Sequence, residues 1–266
     1  MNYQTINYTV KENVACITLN RLDAANGINI AMGRELMHAA ICCEENPEVR
    51  AVVLTGAGKI FSVGGDIKAF AASDRLSEYL KELIVYIHSA VARFLSMGKP
   101  LITAVNGVAA GAGMSLAISG DLVIAAESAT FLAAYAAAGL SPDCGMTYVL
   151  PRMIGMAKAK ELILTNRRLS AQEALQLGIV NKIVPAKDLM REVESSAISL
   201  AKGPTGSIGM VKKLLHTSFS ETLETQLDLE AWGIVALSKT KDGKEGMRAF
   251  IEKRNPHFIG SEVGFQ

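Results

Sequence analysis

The chain reads as an α/β protein whose strands lie in a parallel sheet covered by helices. Three observations predict this. Short apolar runs alternate with glycine-rich turns and longer helical stretches. The central runs, Ala51-Val-Val-Leu-Thr55 and Leu101–Val105, are apolar almost without a break, as in strands buried on both faces. The region beyond Pro151 turns mostly helical.

Taken in order, Thr5–Val10 and Val14–Leu19 are β-rich runs flanking Lys11-Glu12-Asn13, which predicts a hairpin. Asn29 can cap a helix from about Ile30 to Glu45, and Pro47 closes that region. The strand Ala51–Thr55 runs into Gly56-Ala-Gly58 and then Phe61-Ser-Val63-Gly64-Gly65-Asp66, a glycine-rich turn. From near Asp74 to Met97, the residues Leu76, Leu80, Leu83, Ile84, Ile87 and Val91 recur at helical spacing. Pro100 precedes the strand Leu101–Val105. A second glycine turn, Gly111-Ala112-Gly113, opens a buried helix. Leu122–Ala125 and Ala129–Leu132 are further strands. Ser170-Ala-Gln-Glu173 is a capping box for a short helix ending at Gly178, and Gly178–Val184 is expected to form a last strand pair. Helices follow at Asp188–Ala201, Thr205–His216, Ser220–Leu237 and Asp242–Arg254. No linker interrupts the chain. The expected division is a core over residues 1–200 and a helical region over 201–266 that packs on the core or on another subunit.

Composition narrows the function. Half of the 266 residues are hydrophobic, a fifth are charged, and the formal net charge is +1. A large core is expected, with no bulk attraction to nucleic acid or to an anionic membrane. The start of the chain shows no secretory signal, and the apolar window from Ala104 to Ala126 carries Asn106, Asp121 and glycines, so it reads as core and not as a membrane span. Cys16, Cys42, Cys43 and Cys144 lack disulfide or metal spacing, which fits four free thiols and a cytoplasmic protein. The four histidines also lack metal-ligand spacing, and no metal is expected.

Two glycine turns after successive strands can face one pocket, because ligand sites in parallel sheets gather at the carboxyl ends of strands. Backbone N–H groups at Gly65 and Ala112 can then meet a negative oxygen. Each turn alone is as well read as a tight backbone requirement. Asp143, after Pro142, is a helix-capping aspartate by default and otherwise a general base or nucleophile. The Gly-Lys-Ser/Thr ending of a phosphate loop and the Gly-x-Ser-x-Gly elbow of hydrolases are both missing.

The chain resembles the crotonase, or enoyl-CoA hydratase/isomerase, superfamily from about Tyr8 to Phe258. The resemblance is carried by Ile17-Thr-Leu-Asn-Arg21, Phe61-Ser-Val-Gly-Gly-Asp66, Ala104-Val-Asn-Gly-Val-Ala-Ala-Gly-Ala-Gly113, Leu140-Ser-Pro-Asp-Cys-Gly145, Leu150-Pro-Arg152, Leu169-Ser-Ala-Gln-Glu-Ala174 and Phe250–Phe258. It implies a spiral of ββα repeats, a helical carboxyl-terminal region that forms trimers or pairs of trimers, and a coenzyme A thioester as substrate. Coenzyme A then belongs to the substrate, and no separate cofactor is implied. By position, Gly65 and Ala112 match the amides that hold the thioester oxygen. Val63, with the segment around Ala24 and Ala25, matches the stretches lining coenzyme A; Asp66 and Ser115 are further expected substrate contacts. Where the hydratases carry two glutamates, this chain has Ser115 and Tyr135. Pro142-Asp143 and Thr225-Gln-Leu-Asp-Leu-Glu230 instead resemble the ring 1,2-epoxyphenylacetyl-CoA isomerase and Δ3,Δ2-enoyl-CoA isomerase type. The expected catalytic set is Asp143, Gly65, Ala112 and Tyr135, moving a double bond through an enolate. Hydration, hydrolytic displacement on an aryl-CoA with Asp143 as nucleophile, as in the dehalogenases, and a non-catalytic binding role stay open.

Overall fold

The computed structural model describes residues 2–260. The amino-terminal hairpin pairs β1 (Ile6–Lys11) with β2 (Val14–Leu19) antiparallel, and Asn29 caps α1 (Ile30–Glu45) by accepting from the Met32 amide at 3.0 Å. Then come β3 (Ala51–Gly56), β4 (Ile60–Ser62), the short α2 (Ile67–Ala71) and α3 (Leu76–Ser96). The pattern repeats with β5 (Leu101–Val105), β6 (Val108–Ala110) and α4 (Ala112–Ala117). It repeats again with β7 (Leu122–Ala126), β8 (Thr130–Leu132), α5 (Met146–Ile154) and α6 (Met156–Thr165). The chain continues through β9 (Leu169–Ser170), α7 (Ala171–Gln176), β10 (Lys182–Val184) and α8 (Leu189–Lys202). It closes with α9 (Thr205–Thr217), α10 (Leu223–Ser238) and α11 (Lys241–Glu252).

The strands form two sheets, in the orders β1-β2-β3-β5-β7-β10 and β4-β6-β8-β9. Each ββα repeat thus places its first strand in one sheet and its second in the other, which is the spiral. The pairings from β2 through β3, β5, β7 and β10 are parallel, as are β4-β6-β8; β9 is antiparallel to β8.

Alternation explains the unbroken apolar strands. Val52 and Leu54 face the main core with α1 and α3, while Ala51 and Val53 face a second core under Leu189, Val193 and Ala197 of α8. Both faces of β3 are dry, and its one polar side chain, Thr55, is accommodated by donating to the Ala104 carbonyl at 2.9 Å.

Two expectations are corrected. Gly178–Val184 holds a single strand, β10, because residues 178–181 make the turn that carries the chain from α7 to β7's edge, with Asn181 Oδ1 accepting from the Val123 amide at 2.7 Å. The helical part starts before Pro151, which lies inside α5. The expected division near residue 200 falls at the end of α8, where Gly203 and Pro204 precede α9; residues 261–266 of the expected helical region lie outside the described residues. Among the described residues no helix is long and apolar enough to cross a membrane.

A buried acid ties the entry of β1 to α1. The Glu35 carboxylate accepts from the amides of Gln4 (2.8 Å), Thr5 (2.8 Å) and Ile6 (3.2 Å) and from the Thr5 hydroxyl (2.6 Å). Removing it leaves those donors without an acceptor in a dry site. Glu35→Ala is expected to lower the unfolding free energy by about 3 kcal/mol, measured by urea denaturation.

Candidate active site

The two glycine turns meet because their strands are neighbours. β4 and β6 are parallel and adjacent, so the segments leaving their carboxyl ends emerge side by side. Gly64 has φ +86°, and a Cβ there would fall 2.6 Å from the Ala110 carbonyl and 2.9 Å from the Ala112 amide nitrogen. A Cβ on Gly113 would fall 2.3 Å from the Ser62 carbonyl. Backbone therefore lies directly on backbone, and no side chain fits between the turns.

This contact positions two amides. Gly65 bridges Ile28, whose amide donates to the Gly64 carbonyl (2.7 Å) and whose carbonyl accepts from the Asp66 amide (3.0 Å). In a parallel ladder that arrangement turns the N–H of Gly65 itself to the opposite side. Ala112 is the first residue of α4, so its N–H has no acceptor within the helix. The sequence-expected oxyanion pair is thus brought to the rim of two abutting turns.

The segment expected to line coenzyme A lies alongside. Leu22–Ala24 form one 3-10 turn, Ala25 is left-handed with φ 50°, and its carbonyl accepts from the Val63 amide at 3.3 Å. Asn26, which sequence reasoning missed, holds this segment: buried, it donates to the carbonyls of Ala57 (3.0 Å) and Ile60 (2.8 Å) and accepts from the Arg21 amide (3.0 Å). Asp66 has a structural task. It caps α2 by accepting from the Ala69 amide at 3.0 Å and pairs with Arg21 at 2.9 Å. Burial raises the Asp66 carboxyl, but the Ala69 amide and the Arg21 guanidinium outweigh it and hold the group below the usual carboxylate range. Asp66, expected as a substrate contact, has its carboxylate engaged by these two bonds.

Asp143 does not cap a helix; the N-cap of α5 is Gly145. Its carboxylate accepts from the Tyr135 hydroxyl at 2.7 Å and stays about one-third exposed. Tyr135 is buried and also meets the Ser115 hydroxyl at 3.0 Å. The Ser115 hydroxyl in turn donates to the Asp143 carbonyl at 3.2 Å. Ser115 sits one turn along α4 from Ala112, its amide bonded to the Gly111 carbonyl. The Gly111–Ala112 turn and the carboxylate are therefore joined through a single helical turn and two hydroxyls.

His88, on α3, was not singled out in the sequence because it is 55 residues from Asp143. Its Nε2 accepts from the Cys144 amide at 3.2 Å and lies 3.9 Å from the Asp143 carboxylate. Accepting from this amide directs the Nε2 lone pair at Cys144. The donor atoms of His88, Asp143 and Cys144 lie within 4.8 Å of one another, a spacing a metal ion can use. Burial, and then the charge of Asp143, push the Cys144 thiol far above its ordinary range, so this sulfur is a poor metal ligand or nucleophile near neutral pH.

Burial, and then the Asp143 charge, likewise raise the Tyr135 phenol well above 10, which keeps it a hydrogen-bond donor. Below about pH 10 the folded and unfolded chains both carry this proton. Above that the unfolded chain releases it and the folded chain does not, so stability falls as pH rises. Tyr135→Phe is expected to flatten this alkaline decline, read from urea midpoints between about pH 9 and pH 11; Tyr3 and Tyr8, also raised by burial, retain the rest.

With the geometry in place, comparison with known proteins is direct. The enoyl-CoA hydratase/isomerase family model matches residues 9–261. A probable enoyl-CoA hydratase of Rhodobacter capsulatus is 41% identical over 261 residues, 98% of this chain and 100% of that protein. The 1,2-epoxyphenylacetyl-CoA isomerase of Escherichia coli is 37% identical over 253 residues, 94% of this chain and 97% of its own. The crystal structure of an enoyl-CoA hydratase from Polaromonas sp. JS666 superposes with a TM-score of 0.91 at 35% identity, covering 95% of this chain and 99% of that one.

Proposed function

The chain belongs to the enoyl-CoA hydratase/isomerase family, and within it we propose that this protein is an enoyl-CoA isomerase with Asp143 as its one acid–base group. The observation that carries the reading is a lone carboxylate, aimed by Tyr135 and flanked by hydroxyls where a second carboxylate would stand. Addition of water calls for a group to activate water and another to protonate carbon. Ser115 and Tyr135 are bonded to each other and to Asp143, and neither is a carboxylate base.

An enoyl thioester binds with its carbonyl oxygen between the Gly65 and Ala112 amides. Asp143 takes a proton from the carbon next to the carbonyl, and the electron pair of that C–H bond moves to the thioester oxygen as an enolate. The two amides stabilise the charge; losing one such donor typically costs about 3 kcal/mol of barrier. The enolate then collapses, the double bond shifts into conjugation, and the protonated Asp143 returns its proton to the far carbon of the allylic system. The Tyr135 hydrogen bond holds the carboxylate in place through both transfers. That the E. coli relative is named an isomerase accords with this reading. Val63 and the Ala24–Ala25 segment, beside the Gly65 turn, are the proposed coenzyme A contacts.

The helical carboxyl-terminal region is proposed to form a homotrimer. Phe219, Leu223, Ile234, Phe250 and Ile251 are each more than 65% exposed in the single chain, an apolar surface unusual for a monomer. Light scattering is expected to give a mass three or six times that of one chain; a monomer at micromolar concentration would refute this assembly.

The test of the activity is mass spectrometry of products from 3-enoyl-CoA esters. Wild type is expected to return product of unchanged mass and altered retention, and Asp143→Asn to lower kcat by roughly a thousandfold. A product heavier by one water, or full activity in Asp143→Asn, would overturn the assignment.

A further inference from the structure

A second cluster of reactive side chains lies on α1 and shares no residue with the candidate site. Glu35, His38 and Cys42 stand three and four residues apart, so they occupy one face of the helix. Glu35 holds the amides at the start of β1. One turn on, His38 Nδ1 lies 2.7 Å from the Tyr3 hydroxyl. The Cys42 sulfur lies 3.6 Å from Nδ1 and 3.9 Å from Nε2 of the same ring. The Tyr3 ring meets the His38 ring edge-on at 5.7 Å and the Tyr8 ring at 5.9 Å. Burial, and then the charge of Cys42, raise the Tyr3 phenol above its ordinary range, so near neutral pH it stays a hydroxyl.

The other three thiols are placed differently. Cys43 is fully buried in the main core, and burial pushes its thiol up to about 12. Cys16 is half-buried between β2 and α8 and meets the Thr18 hydroxyl at 3.8 Å, not an imidazole. Burial raises its thiol against the opposing bond from Thr18. Cys144 does have the His88 ring within 4.8 Å, but it is only 2% exposed, and the charge of Asp143 beside it opposes a thiolate. Cys42 alone of the four combines partial exposure with an imidazole at hydrogen-bond range.

We infer that Cys42 is a modification site, a thiol that hydrogen peroxide oxidises to the sulfenic acid with His38 taking up and returning the proton. Tyr3 engages Nδ1, which leaves Nε2 to hold the proton released by the thiol. A thiol beside an imidazole reacts as the thiolate. The sulfur attacks one peroxide oxygen; the S–O bond forms as the O–O bond breaks, sulfur is oxidised and the peroxide oxygen is reduced. The departing hydroxide takes the proton from His38 and leaves as water. The sulfenic hydroxyl then has the Tyr3 hydroxyl and the His38 ring as neighbours, and the first rung of thiol oxidation is reversible by an ordinary thiol. The inference is independent of the reaction proposed for Asp143.

The test treats the full chain, near neutral pH, with hydrogen peroxide in the presence of dimedone, which traps sulfenic acids, and follows the adduct at each cysteine by peptide mass spectrometry. Cys42 is expected to label about tenfold faster than Cys16, Cys43 or Cys144. In His38→Asn, labelling of Cys42 is expected to fall about tenfold while that of Cys16 is unchanged. Urea midpoints report whether this variant keeps its fold, and the order among the four thiols of the wild type decides the matter even if it does not. Cys16 or Cys144 labelling first, equal labelling of all four, or undiminished labelling of Cys42 in folded His38→Asn would each overturn the inference.

Discussion

The site depends on one contact: the turn at Gly64 lying against the turn at Gly111 and Ala112 with no side chain between them. Everything chemical is hung from that approach. It sets where the Gly65 and Ala112 amides point, and through the first turn of α4 it sets where Ser115 stands. Backbone amides carry no rotamer freedom, so a pair fixed this way needs no reorganisation when charge develops. The cost is local intolerance. A methyl group at Gly64 or Gly113 would meet main-chain atoms of the other turn, which cannot yield without moving a strand.

The second support is the hydroxyl pair beneath Asp143. Tyr135 is buried and its phenol is kept protonated, so it faces the carboxylate as a permanent donor. Ser115 holds the main chain of Asp143, and the Cys144 amide is held by His88. Three elements far apart in sequence thus fix a residue in an irregular segment that carries a left-handed Cys144 with φ 52°. That strain is sustained by the bonds around it.

Much of this was legible in the sequence, for reasons that differ by residue. Asn29 as a cap, Ser170 and Glu173 as a capping box, and the apolar strands are local signals, and the structure places each where it was expected. The pairing of the two glycine turns followed from strand order alone. The division of each repeat between two sheets was not visible in the residues, since β4, β6 and β8 are only three residues long, too short for periodicity to register. His88 escaped because its relation to Asp143 exists only after α3 packs beside the start of α5. The bonds of Asp66 to Ala69 and Arg21 were not legible, because they appear only in three dimensions. Asn26 gave no signal beyond lying between an alanine and a glycine.

Because β3 and β4, β5 and β6, and β7 and β8 each divide between the two sheets, both sheets lengthen together. The strand pairing is consequently made without the side chains at positions 115, 135 and 143. None of the three lies in a strand, although Ser115 and Tyr135 are buried. Exchanging them leaves the approach of the two glycine turns in place. A framework so constructed keeps the backbone of the candidate site separate from the side chains set around it.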